Sequence, residues 1–257
     1  MGLILCAVPL YALTTGEAEG QSSRGNLPFT DPYAFVDRFT NSPDVKALGF
    51  PVGPKPFLNL GMIVEKEKAE EAGTSIDIVS ASATNGKVSI DLAYQDIGIF
   101  DLWDDWGHIP EFDPERHKGT WIITAVDPSG ASASTQPVVL EYGIEMPFVE
   151  NVETEETASG DLKVSWSAPE LDPEIKEKCD VDYRLRLLRG DSEQFFRSDQ
   201  TTETVISVPA ETLNEKVGST LDGVWGRIEM ACRDKEEKGE DGVGELESRS
   251  NTLFPLS

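Results

Sequence analysis

Leu162-Lys163-Val164-Ser165-Trp166-Ser167-Ala168-Pro169 alternates apolar and polar residues until a proline stops it. The same two-residue period returns in Val181-Asp182-Tyr183-Arg184-Leu185-Arg186-Leu187 and in Thr204-Val205-Ile206-Ser207-Val208-Pro209. It returns again in Val224-Trp225-Gly226-Arg227-Ile228-Glu229-Met230-Ala231-Cys232. Successive side chains of a strand point to opposite faces, so this alternation marks strands with one face buried and one wet. Several such runs separated by turn residues argue for two antiparallel sheets packed face to face. The architecture leaves the task open, because one fold serves many functions.

Toward the N-terminus the clearest signals are turns. Residues 76–83 and 87–94 flank Asn85-Gly86, where both positions tolerate positive φ, and this predicts a two-residue hairpin loop with Val88, Ile90 and Leu92 facing the core. Residues 119–126 and 131–140 flank Asp127-Pro128-Ser129-Gly130, a type I turn with proline preset at its second position; Trp121, Ile123 and Ala125 then point inward. Earlier, Thr30 or Asp31 can cap a helix, Pro32 suits its first position, and Phe35 and Phe39 lie one turn apart, so a short helix is expected. Residues 41–59, with four prolines and two glycines, read as an irregular connection. The Glu- and Lys-rich stretch 64–72 reads as a solvated strand end or a short helix. Residues 95–118 read as a long acidic loop with one strand-like stretch, Ile97 to Phe100. Loops of this length inside a domain are functional or disordered, and two tryptophans weigh against disorder.

Composition limits the partners. A chain of 257 residues suits one large or two ordinary domains. With 47 acidic and 22 basic residues the net charge is -25. Nucleic acid and anionic membranes are bound mainly through Lys and Arg, so neither is expected as a direct partner. Leu3 to Leu13 is an apolar run with the length of a secretory h-region, too short for the about 20 residues of a membrane helix. Gly16, Ala18 and Gly20 offer small residues for cleavage, so residues 1–20 read as a signal peptide; its basic n-region is missing, which leaves open whether Met1 is the true start. A first buried strand is the alternative.

The alternating runs resemble the fibronectin type III family. Trp166, followed by Pro169, is similar to the core tryptophan and proline of that family's second strand. Tyr183-Arg184-Leu185 is similar to its third-strand tyrosine and aliphatic pair, and Ser248-Arg249-Ser250-Asn251 falls where its last strand is often rich in serine. The likeness covers residues 147–257 and departs at the sixth strand, where Trp225 stands nearest the usual tyrosine. Gly119 to Gly130 resembles the closing hairpin of bacterial immunoglobulin-like domains. Together these likenesses imply an all-β fold of two tandem β-sandwich domains. The first is Ig-like, spans residues 25–146 and carries the short helix and the long acidic loop; the second is fibronectin type III-like and spans 147–257.

In that family the third and sixth strands are antiparallel neighbours, which sets Cys179 at the start of one against Cys232 at the end of the other. Side-chain parity agrees, so a disulfide is expected, and removal of the leader would take Cys6 with it. A disulfide suits an exported protein. Two free buried thiols are the alternative; zinc would lack paired ligands.

The chemistry-bearing cluster is Trp103-Asp104-Asp105-Trp106. Its rings and carboxylates suit a sugar's apolar face and hydroxyl groups. Asp101, Asp104 and Asp105 also offer oxygen ligands to calcium, although the Asp-x-Asp-x-Asp-Gly loop is missing. The plain alternative is a tryptophan plugging the end of the sandwich with its acids in water. His108 and His117 are nine residues apart and interrupted by two prolines, unlike a helical metal pair, and read as surface histidines. No nucleophile elbow, phosphate loop or dinucleotide fingerprint appears. The charged run 234–242 reads as a hairpin tip.

The expectation is therefore an exported, non-catalytic protein acting in recognition or as a surface spacer, with a protein or glycan at the cell surface as partner and no cofactor beyond a possible calcium. A glycan-binding accessory protein using Trp103 and Trp106 is the second reading. A metal-dependent hydrolase using acids and histidines of 101–117 is the third.

Overall fold

The computed structural model describes residues 27, 29–40, 55–73, 76–96, 101–104, 111–189, 193–216, 221–238 and 244–256. In chain order the N-terminal half runs β1 (Thr30–Phe39), β2 (Phe57–Val64), α1 (Lys66–Glu71), β3 (Ser80–Thr84), β4 (Ser89–Asp96) and β5 (Asp101–Asp104). It continues with a single helical turn α2 (Pro114–His117), then β6 (Gly119–Val126), β7 (Ser132–Ser134) and β8 (Val138–Leu140). The strands pair in the order β1-β2-β5-β4-β3-β6, with β7 and β8 both on β6. Because β8 comes back against β1, one sheet curls until its inner face closes on itself. Ala34, Val36, Leu58, Leu60, Met62, Trp121, Ile123 and Leu140 fill that interior.

The expected short helix is strand β1. A spacing of four residues keeps Phe35 and Phe39 on one face in a helix and in a strand alike, so the pair does not separate the two. Here Ala34 and Val36 enter the N-terminal core while Phe35, Asp37 and Phe39 are buried on the opposite face. The irregular connection expected over 41–59 ends at Phe57, where β2 begins; residues 41–54 lie outside the described residues. Of the two readings of 64–72, the helix is found as α1. Ile97 to Phe100 lies outside the described residues, and β5 follows at Asp101.

Both expected hairpins form, the first with a longer loop. Thr84 pairs with Ser89, so residues 85–88 make the turn. Gly86 takes φ 79°, and the Asn85 side-chain oxygen accepts from the backbone N–H of Lys87 and of Val88, both at 3.0 Å. In the second hairpin the Gly130 N–H donates to the Asp127 carbonyl at 3.0 Å, and the Asp127 carboxylate accepts from the N–H of Ser129 and Ala131.

The C-terminal half comprises β9 (Glu150–Glu156), β10 (Leu162–Ser167), α3 (Pro173–Lys178), β11 (Cys179–Arg189), β12 (Glu193–Arg197), β13 (Val205–Val208), α4 (Ala210–Lys216), β14 (Val224–Lys238) and β15 (Gly244–Pro255). One sheet has the order β13-β10-β9; the other runs β12-β11-β14-β15. Their facing side chains form one core, in which the Trp166 ring of β10 meets Tyr183 of β11 edge-on at 5.4 Å. Cys179 and Cys232 are joined in a disulfide with their Cα atoms 5.0 Å apart. Register explains the reach: Val181 stands opposite Cys232, so Cys179 is its diagonal neighbour on the same face. Inside this core Gly226 lies under the Phe254 ring, which a Cβ would overlap. Trp225, pointing the other way, packs with Phe39, Phe57, Leu188 and Leu253 outside the sandwich.

The two halves share a sheet. β15 pairs in parallel with β1, Val36 to Phe39 against Ser248 to Asn251, so twelve strands run on without a break. The connecting segment is bound to the same strand. Glu247, 2% exposed, accepts from the N–H groups of Glu141, Tyr142 and Gly143 at 3.2, 2.9 and 3.3 Å. Ser248 Oγ accepts from Ile144 N–H at 2.7 Å, and Ser250 Oγ donates to the Pro147 carbonyl. Arg38 adds a 2.6 Å bond to Glu145 and a 3.1 Å bond to the Met146 carbonyl. Gly143 has φ 54° and lies against Phe112, so its conformation and the space around it both favour glycine. Substituting Glu247→Ala strips the acceptor from three N–H groups and is expected to cost about 3 kcal/mol in chemical denaturation. The same variant should be cut faster than the parent within 141–147 under limited proteolysis.

Candidate functional site

Trp103 lies on β5 between Met62 of β2 and Tyr94 of β4. It is 7% exposed, its ring 5.4 Å from that of Tyr94, and it belongs to the N-terminal core rather than to an open stacking platform. Asp104 is the next residue of β5, opposite Gly61 and Ala93; Asp105, Trp106 and His108 lie outside the described residues. His117 is buried, contrary to its reading as a surface histidine. Its Nδ1 accepts from the Asp113 N–H at 3.0 Å, its carbonyl accepts from Trp121 Nε1 at 2.8 Å, and its ring lies 5.9 Å from Phe112. Burial lowers its pKa, Arg116 adds to the effect, and Asp113 opposes it. Among the described residues no group of three or more His, Cys, Asp or Glu is placed to hold a metal ion.

The chemistry gathers elsewhere, on the face of the C-terminal sheet turned away from the sandwich core. Strand alternation puts Arg184 and Arg186 there from β11, Arg227, Glu229 and Arg233 from β14, Arg249 and Asn251 from β15, and Asp37 from β1. Arg197 of β12 joins them directly opposite Arg186. The middle of this face is a closed ion network. Glu229 takes Arg227 at 2.7 Å, Arg186 at 3.0 Å and Arg249 at 3.3 Å. Arg249 also pairs with Asp37, whose carboxylate accepts from the Asn251 amide and, at 2.9 Å, from the Arg38 N–H. The Asn251 carbonyl oxygen in turn accepts from Arg227 Nε at 2.8 Å. Phe39 and Phe35 lie under the Arg227 and Arg249 guanidiniums at 5.2 and 4.8 Å.

Burial works against the charged form of Glu229, yet Arg227, Arg249 and Arg186 together hold its carboxyl well below the usual range. Burial likewise opposes charge on Arg249, and Asp37 and Glu229 outweigh it. Such a network holds only while complete, because a buried charge without its partner is expensive. Beside it a cleft of about 300 Å³ is lined by Asp31, Tyr33, Phe35, Val138, Arg233 and Leu246, at the point where β1 and β15 diverge. In that cleft Asp31 has its pKa raised by burial and by Glu65, against Lys68.

Sequence reasoning missed this face. Alternation assigns Arg184, Arg186, Arg227 and Glu229 to a wet side, and nothing local distinguishes a wet side from one covered by a neighbouring strand. No family model and no curated protein matches the chain.

Substituting Glu229→Gln leaves three guanidiniums around a neutral amide and is expected to destabilise the protein by about 3–5 kcal/mol in urea denaturation. For the parent, the stability that Glu229 contributes is present above its ordinary value of 4.5 and is lost as pH falls toward its depressed folded value; the variant should lack that slope. His117 has the opposite chemistry and the same sign. With a folded pKa below 6.5, it is protonated more readily in the unfolded chain, so stability should fall as pH drops through 6.5. Comparing unfolding free energies of the parent and His117→Asn between about pH 7.5 and pH 5 isolates this contribution, which the variant should lose.

Proposed function

We propose that the chain is an exported, non-catalytic β-sandwich protein, acting in recognition or as a surface spacer, in which a fibronectin type III-like unit is braced against an immunoglobulin-like one. For the C-terminal unit the supporting features are its strand order and its core. First, second and fifth strands form one sheet and fourth, third, sixth and seventh the other, so two antiparallel sheets face one core as in immunoglobulin-like sandwiches, with the fourth strand beside the third. Trp166 and Tyr183 meet at its centre, as the resemblance implies for those residues. For the N-terminal unit the supporting feature is a hairpin of the expected sequence inside a sheet that closes on itself.

The observation that carries the reading is the buried Cys179–Cys232 bond. Disulfides persist in oxidising compartments and are rare in the cytosol. With the cysteines 53 positions apart in sequence, the bond contributes roughly 4 kcal/mol by limiting the unfolded chain. The clasp at Glu247 and the network at Glu229 favour a spacer that does not bend at residues 141–147.

Fractionation of the native host followed by thiol trapping and mass spectrometry tests this. The protein should be recovered outside the cytosol with Cys179 and Cys232 joined, and Cys179→Ala/Cys232→Ala should unfold at a lower urea midpoint. Recovery from the cytosol with both thiols reduced would overturn the reading.

A further inference from the structure

The arginine face does not end with its closed network. Arg186 is occupied by Glu229 and Gln194, Arg233 by Asp182, and Arg227 and Arg249 by the carboxylates already described. Arg184 and Arg197 differ: among the described residues neither guanidinium has an ion-pair or hydrogen-bond partner, and Arg184 Nε is shielded from solvent with no acceptor. Register places them together, Arg197 opposite Arg186 and Arg184 two residues along the same face. Diagonal neighbours of this kind stand about 7–8 Å apart at the backbone, within reach of two long side chains turned toward one group. The acids nearest in sequence and register are Asp182, Asp199 and Glu229; Asp182 serves Arg233, and Glu229 serves three other arginines.

Burial, then Arg197, and further along Arg186 and Arg233 work against charge on Arg184, while Glu229, which stands opposite it across the β11–β14 ladder, and Asp182 favour it without bonding it. A half-buried guanidinium facing other guanidiniums costs stability in the isolated protein. Evolution of a merely soluble surface would not favour it in a chain with 47 acidic residues to spare. What relieves the cost is an anion. The net charge of -25 repels a long polyanion at a distance, but screening limits that field to about 8–10 Å, so a single oxyanion at the surface answers to its nearest arginines. Guanidinium forks match the planar and tetrahedral oxygens of carboxylate, sulfate and phosphate.

We propose that Arg184 and Arg197 form an oxyanion site on the outer face of β11 and β12, which takes a carboxylate or sulfate group presented by the protein's partner. The site rests on the recognition reading above and narrows it to an acidic partner. No bond is made or broken there; the site binds and orients.

The full disulfide-bonded chain, labelled with nitrogen-15, is titrated with inorganic sulfate and with malonate at constant ionic strength, chloride serving as the control salt. The arginine Nε–H signals of residues 184 and 197 should shift and saturate with a Kd of about 1 mM or tighter. Arg184→Gln and Arg197→Gln should each weaken binding about tenfold or more, and Arg116→Gln should leave it unchanged. Preference for sulfate over malonate points to a sulfated partner, and the reverse to a carboxylated one. In chloride, Arg184→Gln should melt no lower than the parent, because it removes repulsion and no ion pair. Shifts that are linear in concentration, equal in chloride, or unaltered by both substitutions would overturn the site. That result would leave the export reading standing, whereas a reduced cytosolic protein that still binds sulfate would remove export and keep the site.

Discussion

Asp37 is the charge around which the molecule is arranged. It is 0% exposed, on the first strand of the N-terminal half, and its partners Arg249 and Asn251 come from the last strand of the C-terminal half. A carboxylate in that position is tolerable only if those partners arrive, since an unpaired buried charge is worth several kcal/mol against folding. The parallel pairing of β1 with β15 is therefore selected twice, by its backbone bonds and by the ion pairs that hang from them. A hydrophobic seam would hold the halves with less geometric demand; this one holds them in a single register.

β15 shows how much one strand can carry. Alternation gives Ser248 and Ser250 to the linker side and Arg249 and Asn251 to the network side, so four consecutive residues tie the sandwich to the segment before it and to the strand beyond it. Glu247 sits where the β14–β15 register shifts, which turns its carboxylate toward three backbone N–H groups. Burial raises its pKa although those bonds favour the charged form, so desolvation is the larger effect there. The linker between the halves is consequently part of the folded body.

How much was legible depended on whether a pattern had one physical reading. The C-terminal strands were readable because Trp166, Tyr183 and Leu185 alternate with polar residues and are buried on one face only. The disulfide followed from parity along two such strands once their adjacency was implied by resemblance. β2 was not read although Leu58, Leu60 and Met62 alternate with Asn59 and Gly61, because Pro51, Pro54 and Pro56 just before it gave the whole stretch the look of an irregular connection. β1 was misread because a spacing of four suits helix and strand alike. In the predicted ligand cluster, Trp103 resolves to the core while Asp105 and Trp106 lie outside the described residues. The arginine face stayed hidden because its partners are separated by up to 214 residues, and no local pattern reports what covers a strand from that distance.

The same separation orders the events of synthesis. Val36 to Phe39 acquire their second neighbour only when Ser248 to Asn251 exist, so β1 must wait, one edge bare, until synthesis has reached β15. Pairings so remote in the chain form slowly because a large loop must close before any contact rewards it. A bare strand edge is also a template for the wrong chain. The sheet of β1 and β2 thus cannot be completed early, and a nascent or clipped chain lacking β15 would be left with an adhesive border.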